Sequence, residues 1–79
     1  MPKVVSPAEK RFRKAFGENL RRIRQSKKLT LVDLEDITSI HYNQLARIER
    51  GDVTTSIYTI TVISKALKIH PKQLFELDL

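Results

Sequence analysis

Seventy-nine residues make one small domain with a modest core, which excludes a two-domain chain. The formal charge of +6 is unevenly placed, with ten basic and two acidic groups in residues 1–28 against five and seven in the remainder, and such a basic block commonly meets the phosphate of nucleic acid or of lipid headgroups. The absence of cysteine excludes a disulfide framework, a thiolate metal site and a cysteine nucleophile; with no apolar run of about 18 residues and no apolar core in Met1 to Pro7, the chain is expected to be soluble and cytoplasmic.

Residues 1–7 are expected to form a flexible arm ahead of a domain over residues 8–79. Ser6 has the character of an N-cap, Pro7 suits a first helical position and Glu9 suits the first turn. Phe12, Phe16, Leu20 and Ile23 then recur at steps of four, four and three, which predicts an amphipathic helix to about Ser26 with Arg11, Lys14, Arg21 and Arg22 off its apolar stripe. Gly17 falls inside this pattern, where it costs about 1 kcal/mol against Ala and suits a close helix contact.

Thr30 with Asp33 three residues later resembles a capping box, so a second helix is expected from Leu31 to about Ile37, with Leu34 and either Leu31 or Ile37 turned inward. Two turns of helix are not stable alone. A break at Thr38-Ser39-Ile40 leads to a third helix, His41 to Arg50, which Gly51 stops as a left-handed C-cap. At ~100° per residue, Leu45, Ile48 and Glu49 share one side of that helix, while Asn43, Ala46, Arg47 and Arg50 share the other. The first side is a core face and the second a reading face, because Asn pairs bidentately with adenine and Arg with guanine. A buried carboxylate at Glu49 needs a partner, and Arg24 at the edge of the first helix is the candidate, which makes the pair structural.

Val53 to Ile63 is rich in Val, Thr, Ile and Tyr, so raw propensity favours a strand. A cap at Ser56 and the spacing of Ile57, Ile60, Ile63, Ala66 and Leu67 favour a helix through Lys68 instead, and a helix is the expectation. His70 before Pro71 starts a short last helix, whose Leu74, Phe75, Leu77 and Leu79 supply apolar surface for a two-fold dimer.

The strings Phe16-Gly17-Glu18-Asn19-Leu20-Arg21-Arg22-Ile23-Arg24, Leu29-Thr30, Asp33-Leu34, Leu45-Ala46-Arg47-Ile48-Glu49-Arg50-Gly51, Ala66-Leu67 and Leu74-Phe75 resemble the Cro/lambda-repressor-like helix-turn-helix family of xenobiotic-response-element-type regulators. The resemblance implies an all-α fold of five helices, the third of them in the major groove, and usually a homodimer on a two-fold operator. It further implies base-edge contacts from Tyr42, Asn43 and Arg47 with Gln44 nearby, phosphate contacts from Thr30 and from Thr54 and Thr55, and the Arg24–Glu49 pairing. The chain departs from the family pattern at Leu31, where Gln is common, at Glu35, where a small Ala is common, at Ser39, where Gly is common, and at the His41 cap. Glu35 in that place implies a looser or offset pairing of the second and third helices.

No nucleophile with its base, no paired carboxylates and no Gly-rich phosphate loop are evident, so no catalytic residue, cofactor or metal is expected. His41 and His70 lie 29 positions apart without ligand spacing and suit caps or the surface. The expected function is a sequence-specific transcriptional regulator, most simply a repressor, acting as a homodimer on double-stranded DNA. The alternative is an antitoxin that represses its own operon while another surface binds a toxin protein. A membrane-surface role for the basic first helix leaves residues 29–79 without explanation.

Overall fold

The computed structural model describes residues 4–79; Met1, Pro2 and Lys3 of the expected arm lie outside the described residues. Four α-helices and a terminal 3₁₀ helix follow one another as α1 (Pro7–Ser26), α2 (Leu31–Thr38), α3 (Tyr42–Arg50), α4 (Ile57–Leu67) and the 3₁₀ segment Pro71–Phe75. There is no strand among the described residues. The expected fold class holds, with the last of the five helices tightened to 3₁₀ geometry. α1 opens at Pro7, the first helical position expected for it.

Local chemistry starts each element. Ser6 Oγ accepts from Glu9 N at 3.1 Å, and Pro7 follows with its ring preset for the first turn. At α2 the capping box is complete: Asp33 N donates to Thr30 Oγ1 at 3.0 Å, and Thr30 N donates to Asp33 Oδ2 at 2.8 Å. Ser56 Oγ accepts from Thr59 N at 3.0 Å and opens α4, which is why the strand-like Val53–Ile63 stretch becomes helix after its loop. Tertiary burial of one face outweighs β-propensity there, since Ile63 and Leu67 are fully buried.

The core consists of Phe16, Leu20, Leu34, Leu45, Ile48, Ile63, Leu67 and Leu74, with Phe12, Ile23, Leu31 and Ile60 partly buried against it. α1 packs on α3 and on the 3₁₀ helix, and α2 packs on α3 and α4. Leu31 is therefore the second inward residue of α2, whereas Ile37 is exposed, in an open groove beside Val62 and Ala66 of α4. Ile57, expected on the inner face of α4, is likewise exposed, standing at the first position of the helix before its face meets the core.

Two residues that the hydrophobic pattern could not assign hold α1 in place. A Cβ on Gly17 would stand 2.3 Å from the Glu49 carbonyl oxygen and 2.4 Å from that of Ile48, so only glycine lets α1 cross the backbone of α3 this closely. Buried Asn19 donates from Nδ2 to the carbonyls of Gln73 at 2.8 Å and Leu74 at 3.1 Å, satisfying the 3₁₀ helix where it has few carbonyl partners of its own.

Candidate nucleic-acid interface

α3 is fixed from behind. Leu45 and Ile48 are buried in the core, and Glu49 beside them is 8 % exposed. Arg24 meets the Glu49 carboxylate as a fork, Nε to Oε2 at 2.6 Å and Nη2 to Oε1 at 2.9 Å. Its third nitrogen, Nη1, donates to the Leu29 carbonyl at 2.7 Å. One guanidinium thus joins α1, α3 and the link into α2, as expected for the structural pair. The hydrogen bond to Glu49 raises the Arg24 pKa further, against the opposing effect of burial, so the guanidinium stays charged.

The front of α3 is free. Asn43 and Arg47 are exposed and their side chains have no hydrogen-bond or ion-pair partner among the described residues. Gln44 is half-buried, and Ala46 lies between α3 and α1. Arg50 is committed elsewhere, with Nε 3.0 Å from Asp52 Oδ2, and lines a cleft against α1 together with Lys14, Glu18 and Arg21. That position suits contact with a backbone phosphate better than contact with a base edge. Tyr42, at the start of the helix, is 42 % exposed and stacks on His41 with ring centroids 4.8 Å apart.

The turn between α2 and α3 is held without glycine. Ser39 takes a left-handed conformation at φ 63° and closes α2. Thr38 Oγ1 donates to the Leu34 carbonyl at 2.7 Å and accepts from Ile40 N at 3.1 Å, so one hydroxyl spans the turn. His41 serves as the N-cap of α3, its Nδ1 accepting from Asn43 N at 3.1 Å. Glu35, expected to loosen the helix pair, instead reaches across it and accepts from Tyr42 N at 3.0 Å. Gly51 ends α3 at φ 81°, with Asp52 N donating to the Arg47 carbonyl at 3.0 Å.

Two further groups of site residues flank this face in sequence. Thr30 at the start of α2 is exposed, but its hydroxyl and its N–H are both used in the capping box. Asp33 is held below the usual carboxylate range, chiefly by the N–H of Thr30 and then by its hydroxyl, so a negative charge stands at the point where a phosphate would approach α2. Thr54 is exposed and Thr55 half-buried in the loop before α4, with no competing carboxylate in the Val53 to Ser56 stretch. Among the expected dimer residues, Leu74 is fully buried within the monomer and offers nothing to a partner, because it closes the core beneath α1 and α4. Phe75, tilted against Phe16 at 5.4 Å, is half-exposed, and Leu79 is open to solvent.

An open polar helix face, braced by an ion pair behind it and preceded by a short two-turn helix, is the geometry of a helix-turn-helix. A family model described as helix-turn-helix, HTH_3, matches residues 20–74, well over half of the chain. The chain belongs to this helix-turn-helix family. It therefore has the fold of a DNA-binding regulator. The restriction-modification controller protein C.AhdI from Aeromonas hydrophila is similar to it at 31 % identity over 77 % of this chain and 92 % of that one, with a TM-score of 0.75. The clp gene regulator ClgR from C. glutamicum is similar at 27 % identity over 80 % and 82 % of the two chains, also with a TM-score of 0.75. An HTH_3 family transcriptional regulator from Vibrio cholerae is similar at 25 % identity with a TM-score of 0.80, and the match covers 85 % of this chain but 38 % of that larger one. No curated protein matches. Within the HTH_3 frame α2 and α3 are the helix-turn-helix pair, and no helix among the described residues is long and apolar enough to cross a membrane.

Proposed function

We propose that this chain is a sequence-specific transcriptional regulator, most simply a repressor, that reads the DNA major groove with α3 and acts in the cytoplasm by occupying its operator. The observation that carries this reading is the contrast across α3: Leu45, Ile48 and Glu49 are locked in the core while Asn43 and Arg47 stand exposed and uncommitted. Asn43 and Arg47 read base edges, Tyr42 and Gln44 support them, and Arg50, Thr54 and Thr55 meet the phosphates, whereas Thr30 has its hydroxyl and its N–H engaged in the capping box. Regulators appear among the similar structures, namely a restriction-modification controller and a clp gene regulator, and they favour the regulatory reading.

The proposed active form is a homodimer joined through Phe75, Leu77 and Leu79, three residues of the C-terminal segment that keep exposed or partly exposed apolar surface. A two-fold pairing there sets two copies of α3 about 34 Å apart and calls for half-sites about 10 base pairs apart. Selection of bound duplexes from random DNA tests both parts. A pseudo-palindromic site with that spacing supports the dimer, and recovery of no preferred sequence overturns base reading. Sedimentation with and without the selected duplex checks the stoichiometry, since one monomer on a non-symmetric site refutes the pairing.

A further inference from the structure

We propose that Glu35 and His41 are positioning residues for the reading helix and make its choice of operator respond to protons; the proposal rests on α3 being the helix that reads DNA. The first N–H groups of any α-helix have no partner within it. In α3 the first two belong to Tyr42 and Asn43, the residues at the leading edge of the reading face. Glu35 Oε2, coming from α2, accepts from Tyr42 N at 3.0 Å. His41 Nδ1 accepts from Asn43 N at 3.1 Å. The His41 and Tyr42 rings stack at 4.8 Å with an angle of 26° between their planes. Main chain and side chain of the leading turn are therefore set by these two residues, and bidentate base contacts tolerate little displacement.

The chemistry of the imidazole supplies the proton response. To accept from Asn43 N, Nδ1 must carry a lone pair, so the proton of the neutral ring sits on Nε2. That nitrogen lies 4.0 Å from Glu35 Oε2, the same oxygen that holds Tyr42 N. A second proton can go only to Nδ1. There it faces the Asn43 N–H, donor against donor, and the cap bond is lost while the imidazolium is drawn toward Glu35. The positive charge also opposes the N-terminal end of the α3 dipole. Glu35 is the carboxylate within 4.0 Å of His41 among the described residues, and the ring stacked on it is that of Tyr42. Protonation thus exchanges a cap for an ion pair and shifts the turn that carries Asn43.

The molecule contains its own control. His70 caps the 3₁₀ helix in the same manner, Nδ1 accepting from Lys72 N at 3.0 Å, but it carries no reading residue with it.

The test measures dissociation constants of the full chain for a selected duplex and for a random duplex, at pH 8 and at about pH 5.5, across the range in which imidazoles change charge. The wild type is expected to lose about tenfold in the ratio of the two constants on acidification, the effect of one neutral hydrogen bond. His41→Asn, whose amide oxygen caps without titrating, flattens the profile whatever its ratio at pH 8, whereas His70→Asn retains the wild-type drop. Glu35→Ala lowers the ratio about tenfold at pH 8 and speeds hydrogen exchange at the Tyr42 amide, while Glu35→Gln, which keeps an acceptor oxygen, restores most of both. Circular dichroism at each pH verifies that every variant is folded. A wild-type ratio and wild-type Tyr42 exchange in Glu35→Ala overturn the positioning role, and a wild-type pH drop in His41→Asn overturns the proton response. Equal binding of selected and random duplexes by the wild type at pH 8 strikes at the reading-helix assignment itself and brings down both.

Discussion

The two faces of α3 differ in how much of their freedom the fold has removed. Behind the helix, Gly17 lets α1 lie against its backbone, and Arg24 grips Glu49 with two nitrogens while a third holds Leu29. In front, Asn43 and Arg47 keep their rotamers and their hydration. The contrast teaches that a surface proposed to read DNA is made precise from its rear: backbone position is determined by buried contacts, and the side chains proposed to choose a sequence are left uncommitted. Stability and recognition should then be separable by mutation.

Arg24→Ala attacks the rear most severely. It strands the Glu49 carboxylate in the core and is expected to cost about 3 to 5 kcal/mol, measured by chemical denaturation. A loss below about 1 kcal/mol would show that water reaches the pair and that the rear is not dry. Gly17→Ala follows, with an expected cost of about 1 to 3 kcal/mol because backbone carbonyls of α3 cannot yield to the new methyl, despite the ~1 kcal/mol of helix propensity that alanine adds.

The front is tested by Asn43→Ala and Arg47→Ala. Each should leave stability within about 0.5 kcal/mol and relax preference at particular operator positions by about 1 to 3 kcal/mol. An unchanged ratio of specific to random binding would remove that residue from the reading face. Thr54→Ala and Thr55→Ala should weaken all sequences alike, by about 1 kcal/mol, since a phosphate contact carries no base information. The smallest effect is at the edge of α2. Asp33 has its pKa lowered by folding, so its capping contribution is complete above the ordinary carboxylate range and fades as pH falls through the depressed value. Asp33→Asn should flatten that acid limb of the stability curve without changing base preference.

Periodicity and capping chemistry carried most of the fold. The stripe of Phe12, Phe16, Leu20 and Ile23, the box at Thr30 and Asp33, and the caps at Ser6, Ser56 and Gly51 each mark a boundary that the structure keeps to within a residue or so. The Arg24–Glu49 pair was legible because a carboxylate on an apolar face demands a counter-charge. Asn19 was not, because its partners are carbonyls fifty-odd residues away, and nothing local in the sequence announces them. The pattern left Leu31 and Ile37 as alternatives, which packing decides for Leu31, and it misplaced Ile57, because a helix face continues past the end of whatever it packs against and only tertiary structure says where the neighbour stops. Glu35 was seen as an anomaly whose purpose depends on an amide seven positions on. At the interface, the exposure of Asn43 and Arg47 followed from helix geometry, while Arg50 turns to Asp52 across the Gly51 cap and the withdrawal of Leu74 into the core depended on packing.

Three helices end on residues poorly suited to the job: Lys28, Ser39 and Lys68 all sit at positive φ, between 58° and 63°. A left-handed conformation costs an ordinary side chain about 1 to 2 kcal/mol, of which glycine would recover the part not lost to a floppier unfolded chain. A protein of this size gains about 4 to 8 °C in melting temperature for each kcal/mol. The chain therefore holds heat resistance in reserve, reachable by glycine at Lys28 and Lys68, which are remote from Asn43 and Arg47 in sequence, and at Ser39 in the turn that leads into α3.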